Sequence, residues 1–227
     1  MKSSDELIVP LGAGAATTAL VYPGQRGPGG AAFILAHGAG AGQRSTFIVD
    51  FARALSGSGL DVVTFNFLYT EQGRRLPDRA PLLEACYRAA IEVVQRELPS
   101  ARRSLFVGGK SMGGRIATQV AGGDPTLDLD GLVLLGYPLH PPGRTDKLRD
   151  AHLPAVARPM LFVQGSRDAF GTPAELELVM RRLSPPSTLW IVHGGDHSFR
   201  VGKDAARQAA VFAEVQRTIV EWIKEHS

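Results

Sequence analysis

The chain has 227 residues, 44% of them hydrophobic and 21% charged, with a formal net charge of +3. This composition excludes collagenous, disordered and disulfide-scaffold classes, and the single cysteine, Cys86, excludes an intrachain disulfide and fits a reducing, cytoplasmic setting. The basic residues fall in short groups instead of one stripe, so no nucleic-acid partner is expected.

From the N-terminus, no apolar h-region follows Lys2, and the apolar run at 31–36 falls far short of the roughly 20 residues needed to span a bilayer. No membrane association is therefore expected. Residues 6–9 and 17–22 read as strands about a Gly-rich turn at 12–16. Residues 31–36 (AAFILA) form a buried strand between Gly29-Gly30 and His37-Gly38. Phe47, Phe51 and Leu55 repeat at helical spacing and predict a helix over 47–60. A strand at 62–67 (VVTFNF) precedes a helix over 81–98 with Pro81 in its first turn. Then come a strand at 104–108, a helix at 112–122, a strand at 132–135 and a proline-rich irregular stretch at 138–158. A strand at 159–164, a helix at 173–183, a strand at 188–193 and a helix at 203–226 complete the chain.

Two β-elements followed by alternating β and α predict one α/β domain over 1–227. Its expected architecture is a three-layer α/β/α sandwich on a mostly parallel, doubly wound sheet. Ligands of such sheets bind beyond the carboxyl ends of the strands, which directs attention to the loops after 36, 67, 108, 136, 164 and 193.

The loop after the 104–108 strand reads Gly109-Lys110-Ser111-Met112-Gly113, a G-x-S-x-G pattern between strand and helix. That context is a nucleophile elbow: a tight turn lifts the serine hydroxyl above the sheet, over a helix N-terminus that favours developing negative charge. Asp168 follows Ser111 by 57 residues and His197 follows Asp168 by 29, each just past a strand end. The order Ser, acid, His is the one a serine nucleophile, its general base and an orienting carboxylate take on this kind of sheet. Asp146 and Asp150 are alternative acids. For an oxyanion hole, the expected backbone donors are Met112, after the nucleophile, and Ala39 or Gly38, in the side-chain-poor loop His37-Gly38-Ala39-Gly40-Ala41-Gly42. His37 is expected to brace that loop.

Other readings of these segments fail on spacing. A phosphate-binding loop needs Gly at 104, where Ser104 sits inside a strand; a dinucleotide fingerprint needs Gly at 43, which is Gln43. A metal site on His193, Asp196 and His197 is broken by Gly194-Gly195. No cofactor and no metal are expected.

The segments 37–42, 108–115, 136–143 and 194–198 together resemble the α/β-hydrolase superfamily, and within it the small, lidless, dienelactone-hydrolase-like branch. The Lys110-Ser111-Met112 elbow and Tyr137-Pro138-Leu139-His140-Pro141-Pro142 are similar to a bacterial subgroup related to a testis-expressed hydrolase-like protein and a chromatin-complex subunit. Dienelactone hydrolases carry a cysteine nucleophile where this chain has Ser111; the only thiol, Cys86, falls mid-helix and is expected in the core. The resemblance implies the fold and the Ser111, His197 and Asp168 triad, not a substrate; the ordered triad with its Gly-rich loop predicts a serine hydrolase acting on a small ester or thioester through an acyl-enzyme. A non-catalytic scaffold module and a peptidase or amidase on the same three residues stay open, as does the oligomeric state. Pro159 follows Gly136 by only 23 positions, too few for a helical lid. Tyr137, Leu139 and His140 are expected to line one wall of the pocket, and Tyr69, Arg74 and Arg75 the other, with the arginines and Lys110 as candidate contacts for an anionic group.

Overall fold

Alternate side chains of the buried strands face two different cores, which is why those strands read as unbroken apolar runs. The computed structural model describes residues 5–25, 30–185 and 187–227. The expectations for Lys2 and for Gly29 as a strand boundary lie outside the described residues.

Strands β1 (Asp5–Gly12) and β2 (Ala15–Tyr22) form an antiparallel ribbon, and β2 pairs antiparallel with β4 (Asp61–Phe65). From there β3 (Ala32–Ala36), β5 (Leu105–Lys110), β6 (Gly131–Leu135), β7 (Met160–Gly165) and β8 (Thr188–Val192) continue in parallel. The sheet has eight strands in the order β1-β2-β4-β3-β5-β6-β7-β8. After β3 the chain moves to one side to build β4, then returns to the other side to build β5. The loops leaving β3 and β5 therefore diverge and open a crevice at the switch point.

Phe33 and Leu35 of β3 and Val133 and Leu135 of β6 meet Phe51 and Leu55 of α1 (Thr46–Gly57) and Ile219 and Trp222 of α6 (Ala205–Glu225). On the opposite face, Ile34 and Ala36 of β3 and Leu132 and Leu134 of β6 meet Tyr87 and Ile91 of α3 (Ala80–Glu97) and Ile116 and Val120 of α4 (Met112–Gly123). Three layers result, as the alternation predicts.

Boundaries differ where backbone chemistry intervenes. The helix expected to reach 60 ends at Gly57, because the Ser58 N–H folds back onto Ala54 O and Leu55 O and Gly59 turns the chain at φ 104°. The strand expected to reach 67 ends at Phe65; the Asn66 N–H still donates to Thr18 O at 3.2 Å, but its carbonyl takes the Thr17 hydroxyl, and its Oδ1 accepts the Gln43 N–H at 2.9 Å, tying down the loop after β3. A short helix, α2 (Leu68–Glu71), occupies part of the expected pocket wall. Helix α5 (Pro173–Met180) starts on a reciprocal cap between Thr172 and Glu175 and stops short of the expected 183. Between β6 and β7 there is only a 3-10 turn, Leu153–Ala155, and no large cap. Among the described residues no helix is long and apolar enough to cross a membrane.

Candidate active site

Ser111 joins the end of β5 to the start of α4 at φ 52° and ψ −114°, a conformation side-chain-bearing residues rarely adopt. The turn is pinned on both sides. The Ser111 N–H donates to Leu135 O of β6 at 2.9 Å, and the Ser111 carbonyl accepts the Arg115 N–H at 3.1 Å. Gly113 allows α4 to start this close to β3: a Cβ there would lie 2.5 Å from Ala36 O and 2.7 Å from His37 O. The hydroxyl is thereby held in the crevice between β3 and β5.

His197 Nε2 lies 2.8 Å from Ser111 Oγ, and His197 Nδ1 lies 2.8 Å from Asp168 Oδ2. Asp168, just after β7, is fully buried, and its charge is met by three donors. Oδ2 accepts from His197 and from Gln164 Nε2 at 2.8 Å, and Oδ1 accepts the Phe170 N–H at 2.8 Å. Since Nδ1 can only donate to a carboxylate, the Nε2 lone pair faces the serine hydroxyl. Gln164 is itself fixed, accepting from the Tyr137 N–H at 2.8 Å and donating to Gly171 O at 2.7 Å.

The His197 loop is equally ordered. Asp196 Oδ1 accepts the N–H groups of Ser198 and Arg200 at 2.8 and 2.9 Å. Ser166 Oγ accepts the Gly194 N–H at 2.8 Å, and Arg167 Nε donates to Gly194 O at 2.8 Å, stapling the loops after β7 and β8 together. The Phe170 ring covers the imidazole at 4.2 Å between centroids. Lys110, preceding the serine, is buried, and its Nζ donates to the His197 carbonyl at 2.5 Å. The ammonium sits 5.9 Å and 5.8 Å from the Phe47 and Phe199 ring centres. Burial pulls the Lys110 pKa down to about 8, against the opposing fields of Asp168 and Asp196.

Across the crevice, the loop after β3 passes close to the serine: a Cβ on Gly38 would lie 3.5 Å from Ser111 Cβ. His37 holds this loop to the end of β4, with Nδ1 donating to Gly38 O at 2.8 Å and Nε2 accepting the Phe67 N–H at 3.1 Å. Its burial lowers the imidazole pKa and favours the neutral form this pairing needs. Among the described residues, none of the N–H groups of Gly38, Ala39 and Met112 donates to another group, and all three residues line the cleft above Ser111. That cleft is open and measures about 900 Å³, with Ser111, His197 and Phe170 on its floor and walls.

The expected pocket walls need correction. Tyr69, Tyr137, Leu139 and His140 are buried and do not line this cleft. The reason is local: α2 turns Tyr69 into the core, and Tyr137 reaches back to donate to Arg149 O at 2.7 Å. Leu139 packs in the core, and His140 Nε2 sits 3.3 Å from Glu175 Oε1. Arg74 is exposed and spends its charge on Asp78 at 2.6 Å; Arg75 is exposed and also outside the cleft. Pro77, Asp78, Pro138 and Arg149 stand at the walls instead. Of the alternative acids, Asp146 pairs with Arg144 on the surface and Asp150 pairs with Arg182 at 2.5 Å. Cys86 is buried, and desolvation pushes its thiol up to about 12.

Besides those wall residues, Gln164, Phe170 and Arg115 were not foreseen. Gln164 does carry a signal, as the one polar side chain in the buried strand MLFVQG. Phe170 and Arg115 have none, because only the folded loop after β7 and the packed position of α4 bring them to the cleft.

The sequence pattern described as "Alpha/beta hydrolase domain" matches residues 29–224. Among solved structures, a dienelactone hydrolase from Anabaena variabilis is 21% identical, with a TM-score of 0.76 over 99% of each chain. A serine hydrolase without a lid from Xanthomonas campestris, XC6422, is 21% identical, with a TM-score of 0.71 over 96% of this chain and 95% of that one. Est1E from Butyrivibrio proteoclasticus, solved with ferulic acid bound, is 12% identical, with a TM-score of 0.77 over 97% of this chain and 98% of its own.

Proposed function

The chain belongs to the alpha/beta hydrolase domain family, and on that premise we propose that it is a serine hydrolase cleaving small esters or thioesters through an acyl-enzyme. The observation that carries this reading is the unbroken line from Asp168 Oδ2 through His197 to Ser111 Oγ, with 2.8 Å at each link. Ser111 Oγ attacks the acyl carbonyl carbon as its proton passes to His197 Nε2. The imidazolium is stabilised by Asp168, and the oxyanion is received by the free N–H groups of Met112 and Ala39, with Gly38 adjacent. The carbon–oxygen or carbon–sulfur bond to the leaving group then breaks, and that group leaves with the proton from His197. Water, deprotonated by His197, attacks the acyl-serine and releases the acid, restoring the serine hydroxyl.

The test is labelling by a fluorophosphonate together with turnover of p-nitrophenyl acetate. Ser111→Ala is expected to abolish labelling, and Ser111→Ala or His197→Gln to lower kcat by on the order of 10⁴–10⁶. Absence of both activities in the native protein, or their persistence in Ser111→Ala, overturns the reading. An ester, thioester and amide panel then ranks the leaving groups.

A further inference from the structure

Arg115 and Arg149 both line the cleft beside Ser111, and neither forms an ion pair within 4 Å of a described carboxylate. Arg115 stands one helical turn beyond the nucleophile, its N–H on Ser111 O. Among the described residues its buried Nε has no acceptor, and its one side-chain hydrogen bond runs from Nη1 to Gln119 Oε1 at 3.3 Å. Arg149 comes from the loop after β6. Its N–H donates to Leu139 O at 2.8 Å, its carbonyl accepts the Tyr137 hydroxyl, and among the described residues Nη1 reaches only Pro138 O, at 3.4 Å.

The surroundings leave this pair uncompensated. Burial and the Arg149 charge both lower the Arg115 pKa, and the fields of Tyr137 and Glu84 oppose this only in part. Asp150 is occupied by Arg182, and Asp78 by Arg74. His152, hydrogen-bonded to Thr118 at 2.8 Å, is pushed down to about 4 by burial and by Arg115, so it stays neutral. A guanidinium under the field of a second one is costly to keep without an anion, and a buried donor left unpaired adds to the cost. A planar oxyanion meets both needs, because the guanidinium fork matches its geometry.

We infer that Arg115 and Arg149 form a subsite for an oxyanionic group carried by the substrate, so that the acyl compound cleaved at Ser111 is an anion and foremost a carboxylate. The inference rests on the hydrolase reading of Ser111 and narrows its substrate class.

The test compares the mono-p-nitrophenyl ester of glutaric acid with the same ester capped as its methyl ester, a pair differing in one charge. The phosphonate analogue of the free acid forms a third arm. In parallel, Ser111→Ala is titrated calorimetrically with the free-acid and methyl esters, a readout independent of turnover. The free acid is expected to exceed the methyl ester by roughly tenfold or more in kcat/KM and in affinity. The ratio is expected to fall toward one in Arg149→Gln and Arg115→Gln; should Arg115→Gln fail to fold, Arg149→Gln, altered on a surface loop, decides. A phosphonate that outperforms the carboxylate reassigns the anion but retains the subsite. Binding preference without turnover of either ester retains the subsite and refutes the hydrolase reading. Equal handling of both esters, or a preference that survives both substitutions, overturns the inference.

Discussion

The Lys110 ammonium donates to the His197 backbone carbonyl at 2.5 Å, linking the residue before the candidate nucleophile to the residue that carries the candidate base. This bond crosses from β5 to the loop after β8 and fixes the imidazole from its backbone side, opposite to the hold that Asp168 exerts on the ring. Lys110 was a candidate anion contact, but its charge is spent inside the protein.

A pH experiment isolates that role. The Lys110 ammonium is charged below about pH 8 and loses its proton as pH rises through that value. The kcat/KM profile of the native protein is expected to fall above pH 8, and that limb to vanish in Lys110→Met on a lower plateau. Stability should move the opposite way. The native pKa lies below the roughly 10.4 of an unfolded lysine, so between those two values the unfolded chain binds more protons and this group adds stability as pH rises. An alkaline limb unchanged in Lys110→Met refutes the assignment.

Asp168 gives a second prediction. Asp168→Asn removes the acceptor that fixes the His197 tautomer and is expected to cost about 10⁴ in kcat. Gln164→Leu leaves the His197 contact in place but removes one donor to the carboxylate, and is expected to cost less, about 10–100-fold. The measurement is kcat on one activated ester for both variants, with circular dichroism to confirm folding.

Two glycine substitutions should act with opposite sign. Gly113→Ala places a methyl against the carbonyls of Ala36 and His37, and is expected to destabilise by at least ~1–3 kcal/mol. Gly57→Ala, at the end of α1 with open space around it, is expected to stabilise by ~0.4–1 kcal/mol through the unfolded state. Urea midpoints at constant slope provide the comparison.

The thiol supplies a control. With its pKa pushed up to about 12, Cys86 carries almost no thiolate at pH 8 and is shielded in the core. Native protein should resist iodoacetamide and keep its fluorophosphonate labelling, whereas urea-unfolded protein should alkylate rapidly. Loss of labelling on native alkylation contradicts a serine nucleophile.

Much of this arrangement was legible because it rests on backbone constraints that the sequence displays. Apolar runs at 31–36 and 132–135 announce two-sided burial, and glycines around Ser111 announce a turn packed against its neighbours. Asp168 and His197 follow strands, so their approach to Ser111 is read from chain order alone. The walls were not legible, because they depend on which side of a loop faces inward. Tyr137 and Leu139 turn to the core while Pro138 between them faces the cleft. No spacing rule sets that alternation; it follows from the hydroxyl of Tyr137 finding Arg149 O. Arg115 escaped for a similar reason, since its helical position does not reveal that its neighbours leave it unpaired.

The short connection between β6 and β7 also has a kinetic consequence. With one 3-10 turn where a hinged cover would stand, the proposed substrate and product are expected to exchange directly with bulk solvent, with no opening step among the described residues between them and Ser111. Rates should therefore show no lag and no jump when a short-chain ester is raised past its solubility limit, because the described residues include no large cap for an oil–water interface to displace.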